Sequence, residues 1–174
     1  MYRRDSDRGE YAPFILSAII VVTDQITKAL VVQNIRPIYE GGPIIEVFGE
    51  VVRLIHARNP GIAFSIGQGL PDLARTLLFI LLPVLAMIAI GVYTWRSDEF
   101  STLQRWFVAG VLGGGVGNII DRIFRSEGVV DFIDVKFYGL FGMERWPTFN
   151  VADSSVVVCG ILLVLSMFIE RSEP

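Results

Sequence analysis

The sequence predicts a mainly α-helical, polytopic membrane protein with four transmembrane helices. Of its 174 residues, 52% are hydrophobic and 19% are charged, and the mean hydropathy is +0.55. This apolar excess is larger than the interior of a soluble domain of the same length can hold, which excludes a soluble enzyme. The composition also excludes a disordered chain. We expect one membrane domain that covers residues 1–174.

Four apolar stretches are close to the length of about 20 residues that a membrane-spanning helix needs. They cover residues 12–32, 77–95, 106–124 and 149–169. Asp24 and Lys28 interrupt the first stretch, and no small-residue cleavage site follows it. We therefore interpret that stretch as a retained helix and not as a secretory signal peptide.

The two longer connections are expected to have structure of their own. Residues 36–66 are rich in β-branched side chains, which predicts a small β-sheet. Residues 125–148 mix large apolar with charged side chains, which is typical of an amphipathic loop or helix at a membrane surface. Arginine is denser in the terminal tails and in the short connection between the second and third helices. By the positive-inside rule, both termini are cytoplasmic and the longer connections are extracytoplasmic.

In that topology the polar residues of the spanning helices all fall at the outer end of the bundle. They are Asp24 and Lys28 in the first helix, Asn118, Asp121 and Arg122 in the third, and Asn150 and Asp153 in the fourth. Charged groups at membrane depth are costly and usually mark a functional site. We expect such a site near the outer face of the membrane.

Charge and residue counts restrict the chemistry that this site can perform. Fifteen Lys and Arg against eighteen Asp and Glu give a net charge of −3, which offers no basic surface for a nucleic acid. One histidine, His56, and one cysteine, Cys159, make a metal site and an intrachain disulfide improbable. We expect no cofactor and no metal.

Two acids have sequence environments that suit acid–base chemistry. Asp131 lies between apolar pairs in Val129–Ile133, where desolvation favours its protonated form. Asp153 lies near a helix N-terminus, which favours its charged form. Carboxyl groups whose environments differ in this way can act as an acid and a base. Asp134 is an alternative, but Lys136 lies close to it in sequence and we expect Asp134 to be solvated.

Structural roles are possible for several of these residues. Asn150-x-x-Asp153 is similar to a helix N-cap followed by an acid at the third position. Asp121 and Arg122 are adjacent and could form a structural ion pair. At this point both the structural and the functional interpretations remain open.

Asp24 and Lys28 are spaced i, i+4, so they share a helix face and can neutralise each other. We favour a structural role for this pair. Ser154 and Ser155 are weak nucleophile candidates, because no G-x-S-x-G motif and no suitable histidine accompany them.

Five motifs that occur in order resemble the lipoprotein signal peptidases (type II signal peptidases) of bacteria. They are Asp24-Gln-Ile-Thr-Lys28, Asn59-Pro-Gly-Ile-Ala-Phe-Ser65, Gly113-Gly-Gly-Val-Gly-Asn-Ile-Ile-Asp-Arg122, Val129-Val-Asp-Phe-Ile133 and Phe149-Asn-Val-Ala-Asp153. The resemblance runs from about Asp24 to Gly160. One motif departs from the family pattern, because Pro60 and Ile62 stand where a Thr and an Ala are usual.

The resemblance implies a four-helix aspartyl protease of the cytoplasmic membrane. Such an enzyme removes the signal peptide from a prolipoprotein by cleaving before a diacylglyceryl-modified cysteine, needs no metal and is inhibited by the cyclic peptide globomycin. Carried over by motif, the catalytic residues are Asp131 and Asp153. The positions that match substrate-binding or supporting residues are Asn59, Asn118, Arg122, Asn150, Asp121, Asp24 and Lys28, and Asp121 is the alternative acid to Asp131.

Two other functions use similar features. A proton- or ion-coupled carrier also needs intramembrane carboxylates, although acids gathered at one end of the bundle provide no path through it. A lipid-binding or assembly module is the second alternative, in which the acids would be replaceable by amides.

Overall fold

The computed structural model describes residues 11–61 and 70–170, and its main elements are four long helices and a three-stranded sheet. In chain order they are α1 (Pro13–Asn34), β1 (Ile45–Phe48), β2 (Val52–Asn59), α2 (Asp72–Arg96), α3 (Thr102–Phe124), β3 (Val129–Val135) and α4 (Val151–Glu170). The terminal tails, whose arginines carry part of the orientation argument, and Ile62–Ser65 of the second family motif lie outside the described residues.

All four long helices are sufficiently long and apolar to cross a membrane. Their outward faces carry exposed apolar side chains such as Ile19, Ile88, Ile123 and Val164. Apolar area on this scale marks contact with lipid or protein and not with water. The fold is therefore the predicted mainly helical membrane bundle with a small antiparallel sheet.

The α2 helix contains one irregular turn. Its residues Leu77–Leu81 are π-helical, and the Leu82 N–H bonds to the carbonyl of Leu77. Pro83 follows directly and has no N–H to donate, so the regular α-helical ladder cannot continue past it unchanged. With this π-helical turn before Pro83, α2 continues beyond the proline as one apolar helix.

Two helices begin earlier than the sequence analysis expects. The second begins at Asp72 and not at residue 77. It starts directly after Pro71, because the residue that precedes a proline disfavours the α-helical conformation. The third begins at Thr102 and not at residue 106. Here Ser101 and Gln104 form a capping box, in which each side chain accepts the other residue's backbone N–H at 3.3 and 3.1 Å. The box satisfies orphan donors at the helix start.

Helix α3 lies at the centre of the bundle, and its closest contacts are with α1 and α4. Glycine permits this close packing. A Cβ on Gly113 would lie 2.8 Å from Ser17 Cα, and one on Gly117 would lie 2.7 Å from Asp24 Oδ2. Small residues let membrane helices approach each other through their backbones. The polar ends of α1 and α3 are thereby brought into direct contact.

The sheet has the order β1-β2-β3, and both pairs are antiparallel. Its third strand corrects the expectation for residues 125–148, because this segment begins with a sheet strand and is not amphipathic from its start. Val129, Val130 and Phe132 are buried, and Val130 and Phe132 pack against Val31 and Ile35 at the end of α1. The run of apolar residues thus belongs to the core between the sheet and the bundle.

Asp134 is not solvated, contrary to expectation. Its side chain is 4% exposed and is bound by Arg53 Nη2 at 2.7 Å and Arg145 Nε at 2.6 Å. Arg145 also donates to the carbonyl of Glu50 at 3.1 Å. The segment after β3 is therefore joined to the β1–β2 hairpin through a buried carboxylate that is neutralised on both sides.

Candidate active site

The structure brings Asp131 and Asp153 to the same cavity, although they belong to different elements. Asp131 is in the middle of β3 and Asp153 is in the first turn of α4. Phe149 is the reason for their proximity, because its backbone exchanges hydrogen bonds with Ile133 at 2.8 and 3.1 Å. The chain that enters α4 is thereby held beside β3.

The cavity has a volume of about 380 Å³ and a polar and an apolar wall. Its polar lining is Asn59, Asn118, Arg122, Asp131 and Asp153, and its apolar lining includes Val129, Trp146, Phe149, Val156 and Val157. A few convergent polar groups in an otherwise apolar pocket are typical of a ligand-binding site.

Asn150 and Asp153 form the N-terminal cap that the sequence suggests. Asn150 Oδ1 accepts the Asp153 N–H at 2.9 Å, and Asp153 Oδ2 accepts the Asn150 N–H at 3.2 Å. This reciprocal arrangement stabilises the start of α4. The structural interpretation of this motif is therefore correct, and it leaves Asp153 Oδ1 directed elsewhere.

Asn150 also connects the two aspartates. The residue is fully buried, and its Nδ2 donates to Asp131 Oδ1 at 2.8 Å. One carboxamide thus contacts Asp131 with its nitrogen and Asp153 with its oxygen. The side chain of Asn150 therefore links the Asp131 carboxyl group to the backbone of Asp153 at the start of α4.

The remaining carboxylate oxygens accept from two other amides. Asn118 Nδ2 donates to Asp153 Oδ1 at 2.7 Å, and Asn59 Nδ2 donates to Asp131 Oδ2 at 3.2 Å. Every oxygen of the pair therefore faces an uncharged N–H donor. Within residues 11–61 and 70–170, no salt bridge reaches either carboxyl group. Amide donors hold a carboxyl group in place and still allow it to carry a proton.

Burial alters the protonation of Asp131. The residue is 4% exposed, and this burial, together with the charge of Asp153, raises the pKa of the Asp131 carboxyl to about 7. The amides of Asn59 and Asn150 act in the opposite direction. Near neutral pH, Asp131 can therefore hold a proton.

Arg122 lies on the cavity wall and does not pair with its neighbour Asp121. Its Nη2 donates to the carbonyl of Gly61 at 3.3 Å. The expected Asp121–Arg122 ion pair is therefore wrong, because adjacent residues on a helix point in different directions. The guanidinium keeps further donors for a ligand.

Asp24, Lys28 and Asp121 form a buried ionic cluster behind the cavity. Lys28 Nζ lies 2.8 Å from Asp24 Oδ2 and 3.1 Å from Asp121 Oδ2, and none of the three side chains is exposed. Arg125 binds the other oxygen of Asp121 at 3.0 Å. The i, i+4 pairing of Asp24 with Lys28 is thus present, and Asp121 extends it into a network.

Sequence reasoning missed two members of this cluster, Gln25 and Arg125. Gln25 Nε2 donates to Asp121 Oδ1 at 3.1 Å and to the carbonyl of Gly117 at 3.0 Å. The position of Arg125, four residues after Asp121, was a signal that could have revealed it. No comparable signal marks Gln25, because its contacts depend on how α1 packs against α3.

The other reactive side chains have structural partners. Ser154 Oγ donates to the carbonyl of Asn150 at 2.8 Å, and Ser155 Oγ donates to that of Gly110 at 2.8 Å. His56 is buried in β2 with Nδ1 2.7 Å from the carbonyl of Ile35. Among the described residues, no group of three or more His, Cys, Asp or Glu side chains could hold a metal ion.

Asn59 begins a turn that shapes the edge of the cavity. Its Oδ1 accepts the Gly61 N–H at 3.1 Å, so the side chain closes an Asx-type turn around Pro60. Pro60 stands where the family usually has a Thr. It is compatible with this turn because the hydrogen bond between the Gly61 N–H and Asn59 Oδ1 does not need an N–H group on residue 60. Ile62, the other departure, lies outside the described residues.

These features agree with comparisons with known proteins. A family model described as signal peptidase (SPase) II matches residues 16–169, which is nearly the whole described chain. The chain belongs to the signal peptidase II family. A lipoprotein signal peptidase of Treponema denticola is 52% identical over 166 residues, which cover 95% of this chain and 94% of the relative. That of Treponema pallidum is 44% identical and covers 95% and 88%.

Solved structures show the same architecture. A bacterial membrane enzyme determined by the in meso method at 2.3 Å resolution matches with a TM-score of 0.77 and 26% identity, covering 92% of this chain and 89% of that one. As a member of the signal peptidase II family, the chain is a multi-pass membrane protein and an aspartic peptidase that removes signal peptides from prolipoproteins. Nothing in these relatives favours a carrier.

Proposed function

We propose that Asp131 and Asp153 are the catalytic pair, and that cleavage occurs directly before a diacylglyceryl-modified cysteine. One observation carries the assignment: both carboxyl groups line one cavity, and Asn150 binds both of them, Asp131 through its side-chain Nδ2 and Asp153 through its backbone N–H. Two carboxyl groups at close range share one proton, because both cannot ionise together. Such a pair provides an acid and a base at once.

The proposed reaction needs no covalent intermediate. The ionised carboxylate removes a proton from a water molecule, whose oxygen attacks the scissile carbonyl carbon. The protonated carboxyl donates a hydrogen bond to the developing oxyanion and then supplies the proton that the leaving nitrogen takes up. The C–N bond breaks, and the products are a signal peptide with a new carboxylate and a lipoprotein with a free amino-terminal cysteine.

Asp153 suits the role of base and Asp131 the role of acid. Asp153 lies in the first turn of α4, where a helix N-terminus favours a charged carboxylate, and its Oδ2 accepts the backbone N–H of Asn150. The pKa of Asp131 is raised to about 7 by its burial. The pair titrates as a unit, so the roles describe the dominant arrangement near neutral pH.

The cavity wall suggests how the substrate binds. Arg122 and Asn59 lie on its polar side and would donate hydrogen bonds to peptide carbonyls. Val156 and Val157 continue the lining along α4 towards the apolar part of the bundle, where the hydrophobic segment of the signal peptide would lie. The two acyl chains would stay in lipid, which contributes about 0.8 kcal/mol per buried CH₂.

We place this site at the outer face of the cytoplasmic membrane, with both termini in the cytoplasm. A matched pair of glutamates tests the orientation: Glu144, exposed beyond β3, and Glu99, in the short connection between α2 and α3. In a Cys159→Ser background, an impermeant maleimide added outside intact cells should label Glu144→Cys and leave Glu99→Cys unlabelled. The reverse labelling would invert the topology.

Cleavage of a purified substrate tests the activity itself. The purified chain should process a diacylglyceryl-modified prolipoprotein and leave the unmodified precursor intact. EDTA should have no effect, whereas globomycin should block the reaction. Cleavage of both precursors at equal rates would remove the proposed requirement for the lipid, and inhibition by EDTA would contradict the proposed two-carboxyl mechanism.

A further inference from the structure

Lys28 binds three side chains, each of which holds one of the two aspartates or the backbone in front of it, and it forms no hydrogen bond with either aspartate. The ammonium has three N–H donors and three acceptors within reach, which are Asp24, Asp121 and Asn118 Oδ1, the last at 3.0 Å. Since its side chain is completely buried, Lys28 cannot contact water in the cavity or a bound peptide. Apart from its charge, any influence of Lys28 on the reaction must pass through these three partners.

Through Asp24, Lys28 is connected to the backbone in front of Asp153. Asp24 Oδ1 accepts the N–H of Ala152 at 2.9 Å, while its Oδ2 binds Lys28. Ala152 directly precedes Asp153 and is fully buried. This hydrogen bond joins α1 to the first turn of α4 and fixes the position of Asp153 along the axis of α1.

Through Asp121, Lys28 is connected in the same way to the backbone in front of Asp131. Asp121 Oδ2 accepts the N–H of Val130 at 3.0 Å and also binds Lys28 at 3.1 Å. Val130 directly precedes Asp131 and is fully buried. Each aspartate of the pair is thus preceded by a residue whose N–H is bound to an acid of the Lys28 cluster.

Through Asn118, Lys28 also determines which atoms face Asp153. A lysine ammonium can only donate, so the atom of Asn118 that it contacts must be the carbonyl oxygen. The Nδ2 group of Asn118 is then turned towards Asp153, to which it donates at 2.7 Å. Asn150 Nδ2 shares the same oxygen at 3.2 Å. Lys28 therefore determines that the Asn118 amide group donates a hydrogen bond to Asp153 Oδ1.

We propose that Lys28 is the positioning residue of the aspartate pair: it fixes the backbone before each aspartate and orients the amide that donates to Asp153. This inference rests on the proposed catalytic roles of Asp131 and Asp153. In this account Lys28 contributes to turnover through geometry and charge, and it contributes nothing to substrate binding.

Lys28 also influences the charge balance of the pair. The charged and titratable groups that face the pair are Asp24 and Lys28 from α1, Asp121 and Arg122 from α3, Asp131 from β3 and Asp153 from α4. Lys28 and Arg122 are the cations among them. Removal of either cation makes the single negative charge of the pair less favourable. Only Lys28 does so without also lining the cavity.

The test is the pH profile of purified Lys28→Met. We expect kcat to fall about 10²-fold, because a displacement of about 1 Å from productive geometry costs that much. KM should stay within about two-fold of wild type, and the acid limb of the kcat profile should move about one unit to higher pH. Lys136→Met is the matched control, because Lys136 pairs with exposed Glu50 outside the site, and all its parameters should stay unchanged.

A second variant separates positioning from folding. Lys28→Met alone leaves the buried carboxylate of Asp24 without its cation. Combining it with Asp24→Asn removes this unpaired carboxylate as well. We expect this double variant to fold and to keep the lowered kcat, whereas its acid limb should return towards the wild-type position, because the loss of one cation and one anion leaves the net charge beside the pair unchanged. A wild-type kcat in the folded double variant or a wild-type pH profile in folded Lys28→Met would overturn the proposal, as would failure of both to fold, which would make the cluster a requirement of assembly alone. Activity in Asp131→Asn or Asp153→Asn would instead refute the catalytic pair itself.

Discussion

Two clusters of carboxylates lie side by side at one end of this bundle, and they differ in what surrounds them. The acids of the inner cluster, Asp24 and Asp121, have no exposed side-chain surface and share the cation Lys28. Asp131 and Asp153 line a cavity, and the donors that the structure places on them are uncharged amides and a backbone N–H.

The difference explains why the same residue type has two functions within one protein. A carboxylate bound to a buried cation is held ionised, and breaking the pair is costly. A carboxyl group bound only by amides can gain or lose a proton at modest cost, and burial moves its titration towards neutral pH. The inner cluster is therefore suited to fixing geometry, and the cavity pair to moving protons.

The strongest test of this comparison is the removal of one proton carrier. Asp131→Asn and Asp153→Asn should each reduce cleavage by about 10⁴-fold, since each removes either the general acid or the general base of the pair. Cleavage by purified protein should be measured together with the melting temperature. Asp72→Asn, an exposed acid at the start of α2, serves as the control and should behave as wild type. A dyad variant that cleaves at near wild-type rate would refute the assignment.

Asn150→Ala should have the next largest effect, because this side chain joins the two aspartates. We expect kcat to fall about 10²-fold as the carboxyl groups lose their fixed separation, together with a lower melting temperature from the lost cap. Asn34→Ala is the matched control, since that amide is exposed and bonds only to the carbonyl of Leu30 in its own helix. Unchanged kcat in Asn150→Ala would remove the bridging role.

Asp24→Ala tests the inner cluster and should affect folding more than turnover. The variant leaves Lys28 and the Ala152 N–H short of an acceptor, which costs about 3 kcal/mol. Folded yield and melting temperature should fall, while the folded fraction should retain at least about a tenth of its kcat, because Lys28 keeps its contacts with Asp121 and Asn118 and displaces the pair less than its own removal does. Complete inactivity at wild-type stability would instead place Asp24 among the catalytic groups.

The smallest expected effect is a change in pH dependence. Because burial raises the pKa of Asp131 to about 7, its protonated form is lost as the pH rises through that value, and activity should decline on the alkaline side. Asn59 donates to Asp131 and lowers this pKa, so Asn59→Ala should move the alkaline limb to higher pH. A limb that stays in place, or moves to lower pH, would show that Asn59 does not act on this proton.

The sequence alone was sufficient to predict the four helices and to single out Asp131 and Asp153, which the structure brings to one cavity and which we propose as the catalytic pair. Apolar length defines the spans, and the order of motifs identifies Asp131 and Asp153. It did not reveal β3, because Val129–Val135 has no strict alternation and contains two acids. Those acids are tolerated in a buried strand only because other elements supply their partners.

One of the two cationic partners of Asp121 was unpredictable for a related reason. Adjacency suggested Arg122, but the ion pairs are with Lys28 and Arg125. The first depends on how closely α1 approaches α3, which Gly117 permits by leaving space for Asp24. Contacts of this kind are determined by helix packing and are not encoded in local spacing.

The proposed mechanism requires that Asp131 and Asp153 share one proton. Infrared difference spectroscopy of the purified protein detects this proton most directly. We predict a protonated-carboxyl band at pH 6 that disappears as the pH rises through about 7 and is missing in Asp131→Asn. Absence of the band from wild type at pH 6, or its persistence in Asp131→Asn with the same titration, would contradict the shared-proton mechanism.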